Sequence, residues 1–484
     1  MQSTPPASTS LPIEIWYIIT ALLDEESHRD SDDESPEVWR PEKLSKLFPY
    51  LRDLISLSST CNRLRDILTP RIFNTLYLQN TPKSVRSLQA IAKGKHLRCV
   101  KNLHYVAICE LDQCESPLSE VYPDELDSLL RNLPSLYPNL HHIKIEFPYN
   151  DEILWSEDFD DPFEGTLEAA LALEQRSAWY ALMTTSLNAI VSPADSNILS
   201  FEINNLIPAN ISTFYTPSFH AFLSRLHSFT LSIRPLDNGA GWNLNTKEIF
   251  WGFSDRLGPW FMQNLTDVKT LTFDPSETMP LGDSGDGYQS HPHDIGLRGA
   301  RMPNLRSLTL RNLIICPELR DFILAHLDTL CSVSLHECYA DEPHDRGSPG
   351  GFVWQNLLSD LADSLEAAKA QAQAQAEADV STTCPVTMST PSPPKLKPEL
   401  CAFEITYEQT PRQMIRRDLP WIPARLMAQV EAKLESEPSA QPLFYGVGSD
   451  KYGGLSFDDV ATMKSLLRGD DERAWKRLRG VIGS

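Results

Sequence analysis

Residues 303–310 read Pro303-Asn304-Leu305-Arg306-Ser307-Leu308-Thr309-Leu310. Leu308 and Leu310 alternate with period two, the spacing that puts both side chains on one face of a half-buried strand. Leu305 stands three residues before Leu308, where a chain running into a strand tucks in an apolar side chain. Pro303-Asn304 supplies turn chemistry ahead of it. The same apolar-x-x-apolar-x-apolar pattern recurs as Leu140–Ile143–Ile145, Ile198–Phe201–Ile203, Leu226–Phe229–Leu231 and Val268–Leu271–Phe273, then as Leu330–Val333–Leu335 and Leu400–Phe403–Ile405. Val100, Leu103 and Val106 supply a first, atypical unit. Amphipathic stretches such as Leu126–Leu136 and Leu319–Leu327 lie between units, with Leu at helical spacing. Strand then helix, repeated, predicts an α/β chain.

The repetition describes an irregular leucine-rich-repeat-like solenoid over residues 79–410. Spacings between first positions are 58, 28, 42, 37, 25 and 70 residues, so only two fall near the regular 20–29 period. Long gaps then hold inserted loops or degenerate units. The other reading is a set of unrelated α/β strands that share a common buried pattern.

Charge narrows the partners. The chain has 484 residues, with 43 Lys and Arg against 65 Asp and Glu, a net charge of −22. Nucleic-acid binders need a clustered positive field, so nucleic acid is not an expected partner. No run approaches the roughly 20 apolar residues of a helical membrane span. Met1–Ser10 is rich in Ser, Thr and Pro, does not read as a secretory signal, and is expected to be disordered. Nine cysteines, odd in number and scattered among apolar neighbours, point to a reducing compartment, the cytosol or nucleus.

Two segments interrupt the apolar texture. Asp24–Glu37 holds eight acids and one Arg, inside an insertion expected over 24–43. Residues 367–398, expected as a disordered segment, begin as an Ala/Gln alternation that can instead extend a helix from Trp354 to Leu365, and end Ser/Thr/Pro-rich, where little apolar surface offsets ordering entropy. Residues 411–484 carry helical patterns near 420–436 and 456–480, a helical cap or tail.

Residues 11–78 form a helical module. Leu11, Ile15, Ile18, Ile19 and Leu22 share one helical face, with Pro12 in the first turn and Ser10 as cap. Leu51, Leu54, Ile55 and Ser58 space as a second helix. Leu64, Ile67 and Leu68 space as a third, over Thr60–Leu68 and closed by Pro70. Such a module buries a small core and leaves apolar groups for a partner or for the rest of the chain.

Leu11-Pro12-x-Glu14-Ile15-Trp16, then Leu54-x-x-Leu57-x-x-Thr60-Cys61-x-x-Leu64-Arg65, then Pro70-x-x-Phe73 resembles an F-box of the fungal type. The resemblance covers about one-sixth of the chain and departs from the pattern in the gap between its first two helices. It implies a substrate-recognition adaptor of a Skp–cullin–F-box ubiquitin ligase, with a C-terminal domain recruiting a protein substrate. Carried residue by residue, the Skp-facing candidates are Leu11, Pro12, Glu14, Ile15, Ile18, Leu54, Leu57, Cys61 and Leu64. The fold expected is α/β: a small N-terminal helical F-box followed by the leucine-rich-repeat-like solenoid. A non-catalytic scaffold whose helical module merely caps the repeats is the alternative.

Motifs that look like chemistry are weak. Gly282-Asp283-Ser284-Gly285 echoes a serine-protease nucleophile loop but sits among Gly, Asp, Ser and Pro; a hydrolase using Ser284 is the third reading. His291, His293 and Asp294, and His336, Cys338 and His344, are metal-competent without zinc-site spacing. Gly446-Val447-Gly448 lacks dinucleotide spacing and reads as a turn-rich connection. Trp251, Trp260 and Phe261 form either an aromatic recognition patch or core. No catalytic, cofactor or metal residue is expected, and the chain is not expected to be an enzyme.

Overall fold

The strands arise where the recurring pattern places them. β1 (Thr75–Gln79), β2 (Asn102–Val106), β3 (His142–Glu146), β4 (Ser200–Leu206), β5 (Ser228–Ile233), β6 (Thr270–Asp274), β7 (Ser307–Arg311) and β8 (Ser332–His336) follow one another in chain and in sheet. A short β9 (Ala340–Asp341) leaves for a second sheet, and β10 (Ala402–Thr406) pairs with β8 to complete the first. Every pairing in this nine-stranded sheet is parallel. The structure is a computed structural model describing residues 49–109, 116–148, 164–193, 196–234, 243, 246, 248–275, 281–282, 294–341, 351–381, 400–407, 422–437, 440, 442–447 and 456–483.

The chain is thus α/β with a nine-stranded, all-parallel sheet flanked by helices. It is not a helical F-box followed by an irregular leucine-rich-repeat-like solenoid. Two features overturn that expectation. Helices α1 (Pro49–Ser58) and α2 (Asn62–Ile72) run directly into β1, a strand hidden in a stretch that reads as helical. The unequal spacings, in turn, are absorbed entirely by the connectors: Ile143, Phe201, Phe229, Leu271, Leu308 and Val333 are register partners from strand to strand.

Register fixes the two faces. Each strand buries its second and fourth residues, such as Leu103 and Tyr105 or Leu308 and Leu310, all at most 1% exposed. Burying one such side chain contributes about 2 kcal/mol. Against that face pack α3 (Pro82–Ala92), α4 (Asp124–Arg131), α5 (Leu167–Arg176), α6 (Ala178–Val191), α7 (Pro217–Ser224), α8 (Glu248–Ser254) and α9 (Pro317–Ala325), whose apolar residues join the strands in one core. Because parallel crossovers are right-handed, a strand order that never reverses sends each connection over the same face.

Local signals set the ends of elements. Thr81, Thr166 and Thr216 accept from the backbone N–H three residues on and cap α3, α5 and α7. Near the carboxyl ends of strands Asn205, Asn312 and Glu337 take left-handed backbone with φ near 50°, Asn205 at an irregularity in the β4–β5 register. Pro70 does not close its helix: α2 carries it inside and ends at Ile72.

The far edge is closed by the C-terminal region. Helix α10 (Trp354–Ser381) runs past residue 367 through the whole Ala/Gln stretch, taking the helical alternative over disorder there, since Ala, Gln and Glu are good helix formers. Helix α11 (Ala424–Ser436) packs with α12 (Asp459–Arg468) in a small core of its own. β11 (Tyr445–Val447) joins β9 and β12 (Ser456–Phe457), so Gly446 lies in a strand rather than a turn. Helix α13 (Asp470–Gly483) lies against α10 and sets Trp475 on Phe403 of β10, ring centroids 5.8 Å apart. Residues 408–421 and 382–399 lie outside the described residues.

A buried carboxylate locks this closure. Asp471 is 4% exposed and accepts from the Tyr445 hydroxyl at 2.7 Å, the Gln355 backbone N–H at 2.8 Å and the Ser465 hydroxyl. Asp471→Ala strands two buried hydroxyl donors and one part-buried N–H, and is expected to cost about 3 kcal/mol in urea unfolding. Half-buried Asp470, paired at the surface with Arg473, should cost under about 1 kcal/mol when replaced by Ala.

Candidate functional site

Parallel sheets usually bury both faces. Here the second face is polar and half-exposed, because the alternate strand residues are mostly hydrophilic, with exceptions such as Tyr77 of β1 and Ala402 of β10. From β5 to β8 the outward positions are Ser228, Thr230, Ser232, Thr270, Thr272, Ser307, Thr309, Ser332 and Ser334, with Asp274, Arg311 and His336 at the carboxyl ends. Eight strand spacings of about 4.8 Å make the face roughly 38 Å wide. Short side chains bond along it: Ser332 Oγ donates to Ser307 Oγ at 3.0 Å, and Asn312 Nδ2 to Asp274 Oδ1 at 2.8 Å.

Charge gathers on β2, β3 and β4. Lys144 Nζ stands 3.3 Å from Glu146 Oε1 and 3.1 Å from Glu202 Oε1, bridging two neighbouring strands. His104 Nε2 approaches Glu146 Oε1 at 3.3 Å, and Asn204 Nδ2 donates to the same oxygen at 3.2 Å. Burial alone would raise the Glu146 carboxyl; His104, Lys144 and Asn204 outweigh it and hold it at about 2. For Lys144, burial disfavours the ammonium, but Glu146 and Glu202 push its pKa up. Burial lowers His142.

These protonation states limit the chemistry. A carboxylate held ionised makes a poor general acid near neutrality, and an ammonium held between two carboxylates makes a poor nucleophile. Ser200, His142 and Glu202 do line up across β3 and β4, with Ser200 Oγ 2.8 Å from His142 Nδ1. Glu202 Oε2 is 3.9 Å from His142 Nε2, too far for a hydrogen bond, and the carboxylate is committed to Lys144. The cluster is a set of fixed charges on an open face, suited to binding.

The Skp-facing candidates are divided by the structure. Leu54 and Leu64 are buried in the packing of α1 and α2, at 2% and 4% exposure. Leu57 and Cys61 are half-buried, Cys61 in extended backbone ahead of α2. Ile55, not among the candidates, is 49% exposed on α1. Leu11, Pro12, Glu14, Ile15 and Ile18, with the insertion 24–43, lie outside the described residues.

The other motifs resolve into structure. Gly282 has φ +101°, and a Cβ there would sit 2.0 Å from the Ile314 carbonyl oxygen, so glycine is required for the close approach. Asp283–Gly285, including Ser284, lie outside the described residues, as do His291, His293 and His344. His336 bonds Thr406 and Cys338 is buried. No cluster of three metal-competent side chains occurs among the described residues. Trp260 and Phe261 are core, packed on Phe214 at 5.2 and 4.9 Å between centroids. No described helix is long and apolar enough to cross a membrane. The charged cluster itself escaped the sequence, since His142 and Ser200 are 58 residues apart.

No family model matches this chain, and no curated protein matches it either.

Glu146 makes stability depend on acid. Its folded pKa lies below the ordinary 4.5, so its contribution is complete above about 4.5 and is lost as pH falls toward 2. The stabilisation at stake is about 3 kcal/mol. Glu146→Gln should flatten the stability profile between pH 4.5 and 2, measured by urea unfolding at each pH.

Proposed function

We propose that this chain is a non-catalytic recognition adaptor of the Skp–cullin–F-box type. Residues 11–78 engage a Skp-family adaptor, and the outward face of the parallel sheet holds a protein substrate for ubiquitin transfer. The observation that carries the reading is the polar face: nine strands about 3.3 Å per residue long and five residues deep offer roughly 600 Å² of half-exposed, hydrogen-bonding surface. That approaches the roughly 800 Å² per partner of a standard protein interface. The ordered Leu11-Pro12 and Leu54-x-x-Leu57-x-x-Thr60-Cys61-x-x-Leu64 pattern supports the ligase assignment. Such a protein works by raising the local concentration of substrate, so it needs positioned surfaces and neither a cofactor nor a reactive side chain. The cytosol or nucleus is where that role would be played.

One observation favours a second reading. Leu54 and Leu64 are buried within the chain, which suits helices that cap the sheet edge in a scaffold with no ligase.

Co-purification of the full chain with a Skp-family protein separates the two. The adaptor reading expects a stable complex, weakened at least tenfold by Leu11→Ala with Pro12→Ala while the thermal melt is unchanged. A folded chain that leaves Skp unbound removes the adaptor reading and favours the scaffold.

A further inference from the structure

One row of side chains runs counter to the −22 charge of the chain. The residue just before each strand makes a continuous backbone ladder along the amino-terminal rim of the sheet. Lys101 O accepts from His141 N at 3.0 Å, His141 O from Leu199 N at 3.0 Å, and Leu199 O from His227 N at 2.7 Å. His227 O accepts from Lys269 N at 2.7 Å, and Lys269 O from Arg306 N at 2.8 Å. The ladder therefore sets six consecutive side chains side by side, none of them acidic. Lys101, His141, Lys269 and Arg306 are exposed and His227 is half-buried. Leu199, at the middle, is one of only five large apolar side chains exposed among the described residues, at 40%.

We propose that this rim docks an acidic segment of a protein partner that carries an apolar residue between its acids. The inference concerns a surface distinct from the polar sheet face and does not depend on the ligase reading. Charge complementarity selects the acids, and Leu199 selects the apolar anchor. Spacing gives the pattern. Leu199 lies two strands from Lys101, roughly 10 Å, and three from Arg306, roughly 14 Å. An extended peptide crossing the strand ends advances about 3.3 Å per residue, so its acids fall about three residues to one side of the anchor and about four to the other. A nucleic acid is the poorer occupant: its dense charge meets the field of a −22 chain, and its backbone offers nothing to Leu199.

The test is fluorescence anisotropy on the full chain with the labelled peptide Asp-Glu-Gly-Gly-Leu-Gly-Gly-Gly-Glu-Asp. Saturable binding is expected, at least tenfold weaker between 50 and 500 mM NaCl. The triple variant Lys101→Glu, Lys269→Glu, Arg306→Glu should weaken it at least tenfold, and Leu199→Ala about threefold. Lys101→Gln with Lys269→Gln, two exposed positions, keeps the fold and should still weaken it about fivefold. No binding up to 1 mM peptide, or unchanged affinity in the glutamine variant, overturns the proposal. So does tighter binding of a ten-nucleotide single-stranded oligonucleotide, which would assign the rim to nucleic acid.

Discussion

Everything in this molecule hangs on the in-register parallel ladder of nine strands. Register has a side-chain period of two, so a slip of one residue would carry a whole apolar pair to the wrong face. With register kept, Leu, Ile and Phe pairs stack into a continuous sheet of side chains, and the helices have one surface to cover. The monotonic order of strands then decides which surface stays open. A sheet whose order reverses opens a crevice at the reversal, where dinucleotide sites form. This order has no reversal among the described strands, and what remains available is a broad face and two rims.

The open face is not uniformly polar. Its hydroxyl-rich centre is made of short side chains with little charge, whereas β2, β3 and β4 carry a compact set of compensating charges around Lys144. Fixed charges held by neighbours lose little entropy on meeting a partner, while half-exposed hydroxyls adapt. The burial of Leu54 and Leu64 shows that the two helices before β1 already serve the fold, whatever else they touch.

The strands were legible because their signal is local. Two apolar residues alternate after an apolar residue three places earlier, as in Leu305, Leu308 and Leu310, and the structure buries all three. The assembly of those strands was not legible as a single sheet, because unequal spacing hides a register that only backbone pairing reveals. β1 was missed since Leu76 and Leu78 sit at the end of a helical pattern. The charged cluster was missed for a different reason: Lys144, Glu146 and Glu202 read as ordinary outward strand positions until three strands lie side by side. Helix α10 continues through the Ala/Gln stretch because helix propensity needs no apolar face, only residues such as Ala and Gln that lose little freedom in a helix.

The spatial order of the strands in the large sheet is the order of their synthesis. Within the nine-stranded sheet each strand pairs with the strand of that sheet made before it, across gaps from 25 residues, Ser307 to Ser332, to 70, His336 to Thr406. At roughly 5–20 residues per second, a nascent strand waits between about 4 and 14 s for its partner across the longest gap. A ribosome-bound chain can therefore extend the sheet one strand at a time, with a single growing edge exposed. Only β9 must wait for a distant partner, β11, whose arrival brings the last helices and shuts that edge.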